Sequence, residues 1–94
     1  MSSKILIYST TWCPYCERAR QLFIKKNLLF DEINIDTVPD ERAIMMNRSN
    51  RSSVPQIFIG STHVGGCDDL YALEASGKLN SLLLHNKIFS GVQK

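Results

Sequence analysis

Apolar residues along this chain come in short runs whose period switches between that of a strand and that of a helix. "KILIY" is a β-branched apolar run closed by the polar "STT", and it predicts a buried strand over about residues 4–8. Cys16, Ala19, Leu22 and Phe23 then recur at helical spacing as far as about residue 26. Pro14 suits the first turn of that helix, where its missing N–H costs no bond, and Lys25 and Lys26 suit the negative end. "LLFDEINID" returns to strand character through Phe30, Ile33 and Ile35, and a second helix is expected from near Pro39.

In the second half, "VPQIFIGSTHVGG" predicts a strand over about residues 56–59, a two-residue Gly60-Ser61 connection of type II′, and a short strand over about residues 62–64. "CDDLYALEAS" reads as a helix with Leu70, Leu73 and Ala75 on its core-facing stripe and Gly77 at its end. A last leucine-rich helix is expected over about residues 78–86. Of the adjacent Met45 and Met46, only one can point fully inward. Phe23, Phe30, Phe58 and Tyr71 read as core or partial-core aromatics. The order predicts an α/β fold, a four-stranded mixed sheet flanked by helices in three layers. Residues 1–94 are expected to form one domain, with residues 88–94 a loosely packed C-terminal tail.

Composition narrows the function classes. A hydrophobic share of 44% with 21% charged residues excludes overall disorder, and 94 residues suffice for one core. No apolar run is long enough for a leader core or a membrane span, so the expected compartment is the cytoplasm and no membrane partner is expected. The net charge of +2 is spread over Arg18, Arg20, Lys25, Lys26, Arg42, Arg48 and Arg51, short of a nucleic-acid footprint. Arg48 and Arg51 are spaced closely enough to serve one carboxylate. No glycine-rich phosphate cradle or dinucleotide fingerprint is present.

Three cysteines are an odd number, and the pair in "WCPYC" has a spacing that points to metal binding or redox work. A closed zinc site wants four ligands, and beyond Cys13 and Cys16 only Cys67, His63 and His85 are on offer, with no second CxxC. An inert buried pair is the other dull reading. Against both, Cys13 falls at a helix start, where unpaired N–H groups stabilise a thiolate, while Cys16 lies one turn on and nearer the covered side. Cys13 is therefore the expected nucleophile and Cys16 its resolving partner. Arg18 and Arg20 either add positive potential to this helix or point into water.

"CPYC" after a first strand, "SSVPQIFI" near the middle and "GGCDDLYAL" at a helix start together resemble the glutaredoxins, in particular the small bacterial dithiol class. The resemblance spans about residues 5–84. It implies a thioredoxin-like fold and a thiol–disulfide oxidoreductase with glutathione as co-substrate and no tightly bound cofactor or metal. It implies further that Tyr15 lines the glutathione surface, that Val54 offers backbone groups ahead of a cis Pro55, and that Gly66, Cys67 and Asp68 receive the γ-glutamyl end, the Asp68 carboxylate meeting its ammonium. Arg51 is then the candidate for the glycine carboxylate, with Arg48 as an alternative. Thr10 stands where the family commonly has lysine, which weakens attraction for that carboxylate. Trp12 is either an apolar rim for a protein substrate or a partial core cap.

The remaining residues read more plainly. Asp69 leans toward support of the helix start. Cys67 is a packing residue before it is a regulatory thiol, and His63 and His85 lack a catalytic partner. The expected partners are glutathione and glutathionylated or disulfide-containing proteins, and the expected state is a monomer. Two alternatives stay open: an iron–sulfur cluster held by Cys13 and glutathione from two chains, against which the stiff Pro14 turn counts, and a module reduced by a dedicated reductase instead of glutathione.

Overall fold

The first apolar run becomes β1 (Ile5–Ser9), one residue later at each end than its pattern predicts. The computed structural model describes residues 4–89. In it β1 lies between β2 (Asp31–Asn34), which is parallel to it, and β3 (Gln56–Ile59), which is antiparallel; β4 (Thr62–Gly65) closes the order β2-β1-β3-β4. A central strand with both faces covered explains why β1 and β3 are apolar almost throughout.

Period-two alternation divides the core between the two faces of the sheet. Ile5, Ile7, Ile57 and Ile59 point to one side. There they meet Ala19, Leu22 and Phe23 of α1 (Pro14–Lys25), Leu70 of α3 (Cys67–Ser76), and Leu79 and Leu83 of α4 (Lys78–His85). Tyr8 and Phe58 point to the other side, against Ile35 and Met45 of the segment that includes α2 (Asp40–Ser49). The register that pairs Leu6 with Phe58 and Ile7 with Ile57 keeps both sets in phase. Truncating Phe23 to Ala in so closed a core would cost about 3–5 kcal/mol.

Met45 is fully buried and Met46 exposed, so one of the adjacent pair points inward, as the sequence pattern requires. Three details depart from that pattern. Ala75 lies in solvent instead of on the core stripe. Five residues beyond Leu70, it has turned well away from the inward direction, and Glu74 at i+4 instead reaches Lys26 at 3.0 Å. The second strand is only four residues long: Phe30 packs on the core just before it, and Ile35 is buried just after it. Ile88, assigned to a loose tail, packs on the core and donates its N–H to Leu83 O at 2.9 Å, whereas Phe89 is exposed and residues 90–94 lie outside the described residues.

The hairpin connection follows its chemistry. Ile59 pairs with Thr62, leaving Gly60 and Ser61 as the loop, with φ +61° at Gly60 and no positive φ at Ser61, as a type II′ turn requires. No helix among the described residues is long and apolar enough to cross a membrane.

Candidate active site

Beyond β1 the chain turns through Thr10, Thr11 and Trp12 into Cys13. The turn is tied to the end of β2: Thr11 N donates to Asp36 Oδ2 at 2.9 Å, and Asn34 Nδ2 donates to Thr11 Oγ1 at 3.2 Å. Asn34 Oδ1 in turn accepts from Asp36 N at 2.8 Å. A polar clasp between two parallel strand ends thus fixes where α1 begins.

Cys13 is the N-cap of α1, in extended conformation, and its Sγ accepts the Cys16 N–H at 3.1 Å while Pro14 occupies the first helical position. A helix N-terminus aimed at sulfur favours negative charge on it. Cys13 and Cys16 are joined in a disulfide with Cα atoms 5.2 Å apart, within the ordinary span of such bonds. Cys13 is half-buried and Cys16 fully buried, so only the first sulfur meets an incoming molecule.

Facing Cys13 is the cis Val54-Pro55 bond, whose Val54 carbonyl oxygen lies 4.0 Å from Cys13 Sγ. The loop is braced from below. Gln56, fully buried, donates from Nε2 to Ser53 O at 3.0 Å and accepts at Oε1 from His63 Nε2 at 2.7 Å. That bond places the His63 proton on Nε2, and burial pushes the His63 pKa down, with Arg51 adding to the effect. His63 also packs on Phe58, with ring centroids 4.9 Å apart.

A pocket of about 190 Å³ opens beside this loop, with Tyr15, Arg51, Val54, Pro55, Cys67 and Asp68 among its walls, and Ser53, Gly66 and Asp69 completing it. The start of α3 forms its far side. Asp69 Oδ2 accepts the Gly66 N–H at 2.9 Å and Arg51 Nη1 at 3.0 Å. These two donors, the Gly66 N–H first, hold the Asp69 carboxyl below its usual range. Gly65 makes this possible: its φ is +116°, and a Cβ there would run into the Asp69 carboxylate. Asp68 is exposed, while Cys67 is only 4% exposed and burial pushes its thiol pKa up, against the opposing charge of Arg18.

A match to the glutaredoxin family covers residues 5–64 of this chain. The chain belongs to the glutaredoxin family. It is 54% identical over 79 residues to a glutaredoxin of Pseudomonas aeruginosa, covering 84% of this chain and 94% of that one. It is 49% identical over 81 residues to glutaredoxin 3 of Escherichia coli, covering 86% and 98%. Among solved structures, the glutaredoxin of Brucella melitensis shares 55% identity with TM-score 0.75, covering 87% of this chain and 89% of that one. The buckwheat glutaredoxin–glutathione complex shares 28% identity with TM-score 0.84, covering 93% and 82%. This glutaredoxin therefore has the thioredoxin-like fold and is a thiol–disulfide oxidoreductase with a CxxC redox pair.

The glutaredoxin brings Tyr15, Arg51, Val54, Pro55, Gly66, Cys67 and Asp68 to one pocket next to Cys13. Three other candidates are placed elsewhere. Arg48 lies over the Phe58 ring at 4.0 Å and donates to Tyr8 Oη at 3.3 Å, on the α2 side of the sheet. Thr10 Oγ1 lies 3.5 Å from Trp12 O. Trp12 is 87% exposed and caps no core. Arg20 is held by Glu17 at 2.6 Å and Glu32 at 2.5 Å, and Arg18 stacks over Tyr71 at 5.2 Å. Asp69 supports the start of α3, as its place three residues after Gly66 leads one to expect, whereas its bond to Arg51 and the place of Ser53 in the pocket have no sequence signal of their own. A larger cavity of about 530 Å³ lies between α1 and α4, lined by Leu28, Leu83 and Ile88, and holds no thiol.

Proposed function

We propose that this glutaredoxin reduces protein–glutathione mixed disulfides and protein disulfides with glutathione as the reductant. The observation that carries the reading is the half-buried Cys13 Sγ, 4.0 Å from the Val54 carbonyl at the edge of a pocket with a cation and a helix start on its walls. An extended tripeptide laid along Val54 can pair with its backbone, as an added strand does, with its own cysteine brought to Cys13. Its γ-glutamyl carboxylate meets the N–H groups at the start of α3, its ammonium meets Asp68, and its glycyl carboxylate meets Arg51. The buckwheat relative, solved as a complex with glutathione, supports the same ligand.

In the mixed-disulfide route, the Cys13 thiolate attacks the glutathione sulfur. The protein sulfur leaves as a thiolate with the bonding electron pair, and a Cys13–glutathione disulfide remains. A second glutathione thiolate attacks that bond, releasing oxidised glutathione and restoring the Cys13 thiolate. In the protein-disulfide route, the Cys13 thiolate attacks one sulfur of the client disulfide and the other client sulfur leaves as a thiolate. The Cys16 thiolate then attacks Cys13 Sγ, and the bound client sulfur leaves with the electron pair. The Cys13–Cys16 disulfide that forms is reduced by two glutathiones, which leave as oxidised glutathione. Cys16 is needed only for the second route.

The test compares reductants on the oxidised protein. Glutathione with glutathione reductase should return both thiols and sustain turnover, and a thioredoxin reductase system should act far more slowly. Reduction by the thioredoxin reductase system alone would overturn the assignment of glutathione while leaving the redox pair in place.

A further inference from the structure

Cys13 faces the pocket of the reading above through the Val54 carbonyl, and it also lines a depression that this reading leaves unused. That depression is a groove of about 360 Å³ lined by Thr11, Trp12, Cys13, Pro14, Glu17 and Arg20. We propose that this groove receives the polypeptide that becomes disulfide-bonded to Cys13, and that it selects for an apolar and a cationic residue beside the client cysteine. This inference rests on Cys13 being the nucleophile of the proposed function.

The apolar half of the preference comes from Trp12. Its indole is 87% exposed and lies next in sequence to the reactive sulfur, so a client joined to Cys13 brings its flanking side chains over that ring. A large aromatic left in water at such a place gains by being covered.

The cationic half comes from the charges around the groove. Glu17 and Glu32 share the single Arg20 guanidinium, and Asp36 binds the Thr11 N–H. Glu17 and Arg20, which line the groove itself, balance each other; with Glu32 and Asp36 beside them, three carboxylates stand against one cation among the described residues, and the surroundings of the groove are negative. The wall of the other pocket carries Arg51 with Asp68 and Asp69, and the charge of Arg18 reaches Cys67 beside it. Glutathione has two carboxylates and one ammonium, so at neutral pH it is an anion and the surroundings of the groove repel it. A polypeptide with Lys or Arg near its cysteine is complementary to the same surroundings. The two sides of one sulfur thereby sort the two reactants by charge. The whole chain carries +2, so undirected attraction would favour anionic peptides, and a cationic preference has to come from the groove.

The test uses the reduced Cys16→Ser protein, which retains the Cys13–peptide bond once it forms. Capped peptides Gly-Phe-Cys-Lys-Gly, Gly-Phe-Cys-Glu-Gly and Gly-Gly-Cys-Lys-Gly are supplied as mixed disulfides with 5-thio-2-nitrobenzoate. The Cys13 thiolate attacks the peptide sulfur, a protein–peptide disulfide forms, and the coloured aromatic thiolate leaves with the electron pair. Rates are divided by those of 2-mercaptoethanol with the same peptides. The Phe-Lys peptide should react about threefold to fivefold faster than the Phe-Glu peptide at low salt, with the difference shrinking as salt rises. Glu17→Gln should reduce that ratio, and Trp12→Ala should slow the Phe-Lys peptide about fivefold, to the rate of its Gly counterpart. Equal rates for the Lys and Glu peptides, or no loss in Trp12→Ala, would overturn the groove assignment alone. If Cys13 reacts with every peptide no faster than 2-mercaptoethanol, the nucleophile itself is wrong and both readings fall.

Discussion

Two cysteines of this glutaredoxin sit at helix starts, and only one has the surroundings of a reactive thiol. Cys13 is the N-cap of α1, where its own sulfur takes the Cys16 N–H at 3.1 Å and stays half-open to solvent. Cys67 is the first residue inside α3, one position further on. There the N-cap residue is Gly66, its N–H is taken by Asp69, and the Cys67 sulfur is turned inward, where burial pushes its thiol pKa up. A helix N-terminus alone does not activate a cysteine. The sulfur has to be the cap, and nothing else may be doing the capping.

The largest effect expected from breaking this contrast is at Cys13. Cys13→Ser should lower turnover of a glutathionylated protein by at least about a thousandfold, because a hydroxyl at that position is neither ionised nor a good leaving group. Cys16→Ser should preserve that reaction while losing most reduction of a protein disulfide. Steady-state assays with the two substrates separate these outcomes, and full activity of Cys13→Ser would refute its assignment as nucleophile.

A smaller effect is expected where α3 meets the pocket. Asp69→Asn retains an oxygen for the Gly66 N–H but removes the charge that holds Arg51. Both side chains are about half exposed, so the pair is worth no more than about 1 kcal/mol. That corresponds to a KM for the glutathione mixed disulfide raised about twofold to fivefold with kcat unchanged. A KM that stays constant would show that the Asp69 charge is not what positions Arg51 for the tripeptide.

Much of the architecture was legible because period and punctuation agreed. The run in β1, the helical recurrence after Pro14, Gly60 at the hairpin and Gly77 at the end of α3 each specify local structure without help from distant residues. Placement of Ala75 and Ile88 failed for the opposite reason, since which side of a helix faces the core and whether a segment near the chain end finds a groove are tertiary facts. The site divides the same way. The CPYC and Val54-Pro55 motifs announce themselves locally, whereas Arg48 packing on Phe58, Arg51 pairing with Asp69 and Gln56 bonding to His63 depend on where the sheet and helices bring them.

The most direct measurement is the pH dependence of alkylation at each cysteine of the reduced, native protein, followed by mass spectrometry with iodoacetamide in limiting amount. The account predicts that Cys13 reacts first, with a midpoint clearly below the ordinary free-thiol value of about 8.5, while Cys67 stays unmodified until the fold is opened. A Cys13 midpoint at or above that value, or equal labelling of Cys67 in the native state, would contradict it.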